Sequence, residues 1–179
     1  MRLITDAVAA DDRIRIRPWR SDEADVLFAI LSRPEVTVWL GEQSRRPMAS
    51  VAEAAARIDT WAGICAAAGP DGVWAIEEVA TGRPVGTVLL MLVPEDTAGE
   101  RELGWYLHPD AFGRGFATDA ARLVTAHAAA AGIEEVWAQT HVDNVASGRV
   151  AARLGMTDLG VVDGLWREGP SRLYVVATR

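Results

Sequence analysis

Residues 103 to 127 read LGWYLHPDAFGRGFATDAARLVTAH, and three kinds of local structure follow one another within them. The opening apolar run with two aromatic residues predicts a β-strand. Pro109 ends that strand, because proline has no backbone donor and restricts the residue before it. After Gly113 and Gly115, small apolar residues recur at helical spacing, which predicts a long helix. The segment is therefore a strand, a glycine turn and a helix.

The turn between this strand and this helix is a candidate anion site. The first N–H groups of a helix have no intrahelical partner and lie at the positive end of its dipole, so they favour phosphate. Gly113 and Gly115 would let a ligand approach the main chain with no Cβ in the way. The loop lacks the lysine and hydroxyl residue of a nucleoside-triphosphate P-loop, and it is not a full GxGxxG motif. The residues alone leave open both a pyrophosphate site and a tight structural turn.

The loop also resembles the central motif of a known family. Residues 112 to 117, FGRGFA, are similar to the Q/R-x-x-G-x-G/A motif with which the GNAT superfamily of N-acetyltransferases holds the pyrophosphate of acetyl-CoA. Gly115 and Ala117 match the motif, whereas Phe112 stands where many members have Gln or Arg. An aromatic residue at that position is common in the RimJ/RimL-like branch of ribosomal-protein acetyltransferases, so the departure points to that branch.

Other segments resemble the same branch and together span nearly the whole chain. They are RIRPWR at 15–20, RPEV at 33–36, WAIE at 74–77, TGRPVG at 81–86, DNVAS at 143–147 and RLGM at 153–156. The last of these differs from the more usual pattern at Met156, where phenylalanine is common, and this affects packing more than chemistry.

The resemblance implies an α/β (α+β) GNAT fold, in which about four helices flank a mixed, splayed sheet of six to seven strands. Periodicity and turn signals predict the element order β-α-α-β-β-β-α-β-α-β-β, which is the order of that fold. We expect one domain over residues 1–179, with residues 1–11 as a loose N-terminal arm. In the strand at 13–17, the alternation predicts inward isoleucines and solvated arginines.

Composition narrows the class of protein. The 179 residues are 50% hydrophobic and 24% charged, which is typical of a globular domain, and no apolar run approaches the length of a membrane span. A net charge of −7 argues against binding to nucleic acid or an anionic membrane and mildly favours a cationic acceptor. Cys65 is the only cysteine, and a small buried filler is its expected role. We expect a cytoplasmic protein, either monomer or homodimer.

The resemblance also assigns the cofactor residues. Acetyl-CoA is the implied co-substrate, with its pantetheine arm paired to the backbone of the splayed strand at Trp105 to Leu107. Asn144 is implied to contact that arm, and Ser147 to hydrogen-bond the departing thiolate. The full set of expected cofactor residues is Trp105, Leu107, Phe112, Gly113, Arg114, Gly115, Phe116, Ala117, Thr118, Asn144 and Ser147.

Acetyl transfer to an amine also needs an acid and a base. Ser147 is the candidate acid; it lies one helical turn after Asn144, and helix capping is the alternative role of that pair. Glu102 is the candidate base because alternation places it on the same strand face as Gly104 and Tyr106. Glu100, His141 or water are the other options for the base. Tyr106 is a candidate acceptor-side donor or pantetheine wall.

Three functions compete. The favoured one is an N-acetyltransferase that moves acetyl from acetyl-CoA to a primary amine, of a protein N-terminus or a small molecule, by direct attack in a ternary complex. The alternative is a noncatalytic acyl-CoA-binding regulatory module. Rossmann-type nucleotide binding is disfavoured, because no βαβ unit opens the chain. No metal site is expected, since the histidines lack i,i+4 spacing. By resemblance, the N-terminal half shapes the acceptor site, and each of its tryptophans either lines a pocket or, more often for such residues, packs in the core: Trp19, Trp39, Trp61 and Trp74.

Overall fold

A computed structural model describes residues 7–41, 45–93, 99–163 and 169–179. Residues 1–6 of the expected arm lie outside the described residues. So do residues 94–98 and 164–168, where the sequence predicts loops.

The described residues form one mixed sheet of eight strands in the spatial order β1-β2-β3-β4-β5-β6-β8-β7. The strands are β1 (Ala9–Ala10), β2 (Ile14–Pro18), β3 (Gly72–Glu78), β4 (Arg83–Leu92), β5 (Arg101–Leu107), β6 (Glu135–His141), β7 (Thr157–Asp163) and β8 (Pro170–Ala177). The expected mixed sheet is confirmed, with one strand more than the predicted six to seven. The extra strand corrects the prediction of a loose arm: Ala9 and Ala10 pair antiparallel with Ile16 and Arg15.

Five α-helices pack against this sheet in the described part of the chain. They are α1 (Ala24–Leu31), α2 (Pro34–Thr37), α3 (Val51–Ala66), α4 (Phe116–Ala130) and α5 (Val145–Arg153). The sequence predicts about four helices, because Pro34 is expected there only to end a helix. It also begins the short α2, since the fixed φ of proline suits the first helical position and its missing N–H costs nothing there.

The sheet opens between its two central parallel strands. β5 and β6 pair only at their first residues, Arg101 with Val136 and Glu102 with Trp137. Beyond that point β5 continues to pair with β4, whereas β6 pairs with β8. The backbone of β5 from residue 103 onward therefore faces a gap on its β6 side, which confirms the splay that the resemblance implies.

Two apolar cores form on opposite faces of the sheet. Leu103 and Leu107 of β5 belong to the core that α4 covers, and α4 contributes Ala120, Ala121 and Val124 to it. Tyr106 packs against the other core, which is built chiefly by α1 and α3. The alternation along β5 therefore places its even-numbered residues on the α1–α3 face.

Arg17 corrects the expectation that the arginines of β2 are solvated. Its side chain is 1% exposed, and its guanidinium pairs with Glu77 at 2.7 Å and with Glu23 at 2.6 Å. Glu77 is itself buried and also pairs with Arg15. A buried charge must be paired to be tolerated, and these two carboxylates provide that pairing. Strict alternation in the sequence does not reveal partners that lie on other elements.

Candidate functional site

The glycine turn before α4 has the geometry of an anion site. Gly113 and Gly115 have φ values of +73° and +89°, in the left-handed region that residues with a Cβ rarely adopt. Gly115 is the residue immediately before α4. The described residues offer no acceptor to the N–H groups of residues 113 to 117, whereas the N–H of Thr118 donates to the carbonyl of Gly115 at 3.0 Å. Five consecutive main-chain donors are thus available to a ligand.

Two of the expected cofactor residues point their side chains away from the opening. Arg114 pairs with Glu78, and its guanidinium lies 4.5 Å from the centre of the Phe116 ring. Phe116 is 2% exposed and belongs to the core under α4. These two residues can therefore serve a ligand through their N–H groups, while their side chains hold the turn in place. Phe112, by contrast, is half exposed and lines the opening.

A single cleft of about 1120 Å³ connects the turn to the gap between β5 and β6. It is lined by Gly104, Trp105, Tyr106 and Leu107 of β5 and by Ala138, Gln139 and Thr140 of β6. Phe112, Gly113, Gly115, Ala117 and Thr118 line its end beside the glycine turn, and Asn144 and Ser147 line the wall made by α5. The cleft is large enough for a cofactor-sized ligand, and the open edge of β5 offers backbone groups with which the amides of such a ligand can pair.

The Asn144–Ser147 pair caps α5 as the sequence predicts. The side-chain oxygen of Asn144 accepts a hydrogen bond of 3.1 Å from the Ser147 N–H, with Asn144 as the N-cap residue. Both residues also line the cleft. The cap is compatible with a role toward a ligand, because it engages the backbone of Ser147 and not its hydroxyl.

The structure separates the candidates for the base. Glu102 lines the cleft on the α1–α3 face of β5, together with Gly104 and Tyr106. Glu100 precedes β5 and is not among the residues that line the cleft. His141 ends β6 with a 36% exposed side chain, and its ring packs edge-on against Trp39 with centroids 5.8 Å apart. Glu102 is thus the candidate that faces the cleft.

Burial raises the pKa of the Tyr106 phenol above its ordinary value, since the ionised form would lose its hydration there. The hydroxyl stays protonated at neutral pH. Tyr106 can therefore donate a hydrogen bond into the cleft but does not act as a base.

The four tryptophans of the N-terminal half divide into two groups. Trp19 and Trp74 are buried in the two cores. Trp39 and Trp61 line the cleft, on the side of α2 and α3. Aromatic side chains thus form part of the cleft wall on the side of α2 and α3.

Charge is unevenly distributed along the cleft. The α2, α3 and β5 side carries Glu35, Glu53 and Glu102 with Arg57, whereas the α4 and α5 side carries Arg122, Arg149 and Arg153 with Asp119. One wall therefore has an excess of two carboxylates and the other an excess of two guanidinium groups. Anionic phosphates are favoured near the second wall, and an ammonium group near the first.

Sequence reasoning missed several residues that line the cleft. Arg149 and Arg153 lie on α5 with the four-residue spacing of one helix face, a signal that the sequence did contain. Gln139 lies in a strand whose side chains gave no signal, since a single glutamine has no motif. Glu35 and Arg57 come from helices distant in sequence, so only the fold brings them together.

The described residues were also compared with two other kinds of feature, a membrane-spanning helix and a metal site. No helix among them is both long and apolar enough to cross a membrane. In the same part of the chain, no three His, Cys, Asp or Glu side chains converge in a way that would hold a metal ion.

Comparison with known proteins identifies the family. The family model described as "Acetyltransferase (GNAT) domain" matches residues 13–157, which is most of the chain. The chain belongs to the GNAT acetyltransferase family. It is accordingly an acetyltransferase that uses acetyl-CoA as co-substrate. A similar protein, the uncharacterized N-acetyltransferase YoaA of Bacillus subtilis (strain 168), is 28% identical over 153 residues, covering 84% of this chain and 83% of that protein.

Solved structures share the fold of this GNAT chain. RimL, a ribosomal L7/L12 alpha-N-protein acetyltransferase in complex with coenzyme A, superposes with a TM-score of 0.80 at 14% identity, covering 96% of this chain and 98% of that one. MccE, a microcin C7 self-immunity acetyltransferase in complex with acetyl-CoA and AMP, gives a TM-score of 0.77 at 15% identity, covering 93% of each chain. The likeness to the RimJ/RimL branch is thus confirmed at the level of the fold.

Proposed function

We propose that this GNAT acetyltransferase transfers acetyl from acetyl-CoA to a primary amine by direct attack, with both substrates bound at once. The observation that supports this is the continuous cleft, which joins the amide-rich turn at 113–117 to the aromatic and acidic wall of α2 and α3. An amine that enters from that wall meets the end of the pantetheine arm without either substrate leaving. Direct attack needs only such a juxtaposition and no covalent enzyme intermediate.

The cofactor roles in the proposal follow from position. The N–H groups at residues 113 to 117 bind the diphosphate, and Arg122, Arg149 and Arg153 supply positive charge near the phosphates. The open β5 edge at Trp105 to Leu107 pairs with the pantetheine amides. The other cofactor residues proposed are Phe112, Ala117, Thr118 and Asn144, which line the same cleft, and Arg114 and Phe116 through their backbones.

The chemistry in the proposal uses three side chains. The Glu102 carboxylate, directly or through water, accepts a proton from the ammonium form of the acceptor, and the neutral nitrogen then attacks the thioester carbon. The attached nitrogen gives up its second proton as the tetrahedral intermediate collapses. The C–S bond breaks, and the Ser147 hydroxyl donates a hydrogen bond or relays a proton to the thiolate, so that the products are an N-acetyl amide and CoA thiol. Tyr106, whose phenol is protonated at neutral pH, donates a hydrogen bond on the acceptor side.

The proposal also covers the domain organisation, the cellular location and the oligomeric state of the chain. The two cores share one sheet, so we propose that the chain works as a single GNAT domain. A cytoplasmic location, where acetyl-CoA is available, belongs to the same proposal. Light scattering after size-exclusion chromatography distinguishes a monomer from a homodimer.

An amine panel tests the proposed activity. The protein is incubated with acetyl-CoA and with peptides that have free N-termini, polyamines or amino acids, and CoA thiol release and the mass of the acetylated amine are both followed. We expect release that depends on an amine, with intersecting initial-velocity lines for the two substrates. Parallel lines would contradict direct attack. Saturable CoA binding with no acetylated product from any amine would indicate a noncatalytic acyl-CoA-binding module.

A further inference from the structure

A row of residues without polar side chains crosses the sheet beside the proposed base. Gly104 of β5 lies opposite Leu89 of β4, and Leu89 lies opposite Val73 of β3. Tyr106 is on the same face of β5 as Gly104 and packs against the α1–α3 core, so the row faces α3. All three residues of the row line the cleft. The cleft therefore extends from the gap beside β5 across the face of β4 to β3.

This row lies outside the apolar cores of the protein. Leu89 is only partly buried, although β4 is an interior strand of the sheet. Neither Leu89 nor Val73 belongs to any of the apolar clusters that the described residues form. Leucine is among the residues most often fully buried, and an interior strand is where such burial is expected. Leu89 is thus an apolar surface that the fold leaves open to the cleft.

Helix α3 packs over β3 and forms the other side of this part of the cleft. Ala56, Thr60 and Trp61 of α3 line it. The Thr60 hydroxyl donates a hydrogen bond of 3.0 Å to the Ala56 carbonyl within the helix, so its donor is already used. Glu53 and Arg57, which carry opposite charges, line the cleft from the same helix. The space between α3 and the row is therefore a pocket with an apolar floor.

The floor has little to offer a polar group. β4 lies between β3 and β5, and the two ladders occupy its backbone groups on both sides. A peptide bond or a second ammonium group placed on Leu89 would lose its hydration without gaining a partner, whereas an alkyl or aryl group would gain from burial. Glu102 lies two residues before Gly104 on the same strand face, about 7 Å away along the strand. An amine beside Glu102 thus reaches the floor with atoms a few bonds from its nitrogen.

We propose that the acceptor is a small primary amine that carries an apolar alkyl or aryl group, and that Leu89 and Val73 form the floor of the pocket for that group. The inference rests on the proposed acetyl transfer and names the class of its acceptor. The ammonium group is drawn to the acidic wall of the cleft, where Glu35 and Glu102 lie, and the apolar group passes over Gly104 onto Leu89. Gly104 leaves that passage open because it has no side chain.

A series of straight-chain amines tests the inference. The kcat/KM is measured at saturating acetyl-CoA for ethylamine, propylamine, butylamine, pentylamine and hexylamine. Once the chain reaches Leu89, each buried methylene should raise kcat/KM about fourfold, so hexylamine should exceed butylamine about fifteenfold. The compound 1,5-diaminopentane has the length of hexylamine with an ammonium group in place of the terminal methyl, and it should be poorer by at least about tenfold.

Two variants and a control assign this preference to the pocket. Leu89→Asn keeps a similar size but makes the floor polar, and it should bring the ratio of hexylamine to butylamine to within about twofold of one. Leu92→Asn changes an exposed leucine at the end of the same strand and should leave the ratio unchanged. Thr60→Asp adds a carboxylate to the α3 side of the pocket and should make 1,5-diaminopentane a better acceptor than hexylamine. A merely structural role for Leu89 or Thr60 would lower all amines alike and leave these ratios as they are.

The outcomes separate this inference from the function on which it rests. A flat wild-type series, an unchanged ratio in Leu89→Asn, or a peptide with N-terminal alanine that is a better acceptor than hexylamine overturns the inference, while acetylation itself still supports acetyl transfer. Thr60 is exposed on α3, so Thr60→Asp decides the matter if Leu89→Asn does not fold. If acetyl-CoA binds and neither these amines nor the peptide are acetylated, both the proposed function and the inference fail.

Discussion

Arg13 donates a hydrogen bond of 2.6 Å to the main-chain carbonyl of Arg114, in the middle of the glycine turn. The same guanidinium pairs with Asp119 in the first turn of α4 at 2.5 Å and lies 5.2 Å from the centre of the Phe116 ring. One side chain from the start of β2 thus fixes the carbonyl side of a loop whose N–H groups remain available. Arg13 therefore supports the proposed phosphate site without lining the cleft.

Replacing Arg13 should therefore weaken cofactor binding. Arg13→Gln removes the ion pair and the contact with Phe116, so the turn samples conformations in which its N–H groups diverge. We expect the Kd for CoA, measured by calorimetry, to rise about fivefold, equivalent to about 1 kcal/mol for a partly exposed charged contact. Arg179→Gln, which removes a distant exposed ion pair with Glu134, is the control and should leave the Kd unchanged. An Arg13 variant with wild-type affinity would contradict this role.

Gly113 and Gly82 offer a matched test of the turn. Both have left-handed φ values, +73° and +64°, and a Cβ on either would meet no atom within 4 Å. Alanine at either position should cost about 1–2 kcal/mol of stability, because that conformation is strained for a residue with a Cβ. Only Gly113→Ala should also weaken CoA binding, because its Cβ would occupy the space beside the proposed diphosphate. Equal CoA affinities for the two variants would contradict the placement of the ligand.

The two carboxylates near the start of β5 should differ in their effect on catalysis. Glu102→Gln is expected to lower kcat about a hundredfold, which is within the usual range for losing a general base, with little change in the KM for acetyl-CoA. Glu100→Gln should retain kcat, because Glu100 does not line the cleft. Steady-state kinetics with one acceptor amine measures both. The reverse result would move the proton-accepting role to Glu100.

Cys65 should be a slow nucleophile in the folded protein. Burial raises the pKa of its thiol, because the thiolate would lose its hydration there. A raised pKa leaves less thiolate at pH 8 than in the unfolded chain, and the thiolate is the reactive form. We expect a disulfide reagent to react at least tenfold faster in denaturant than under native conditions. Equal rates in the two conditions would show an exposed thiol with an ordinary pKa.

Much of the fold follows from local signals in the sequence. The turn at Gly113 and Gly115, the capping pair Asn144 and Ser147, and the splay beside β5 lie where the sequence or the resemblance predicts them. These features depend on backbone conformation and helix ends, which a few residues of characteristic type determine.

Features that depend on long-range contacts were not predictable in the same way. Arg17 has the alternation of a solvated residue, yet it is buried because Glu77 and Glu23 converge on it from other elements. No motif marks Gln139 in the sequence, and only the structure shows that its carboxamide is buried without a hydrogen-bond partner among the described residues. Glu100 and Glu102 are two residues apart and would share a strand face, so only the fold shows that Glu102 lines the cleft and Glu100 does not.

Amide chemical shifts in ¹⁵N-labelled protein, followed while acetyl-CoA is titrated in, test whether the main chain of the turn holds the cofactor. We predict that the largest saturable changes in chemical shift occur in two segments. One is residues 113 to 117, where the N–H groups gain phosphate acceptors, and the other is residues 105 to 107 along the open edge of β5. Saturable binding that leaves both segments unperturbed would contradict it.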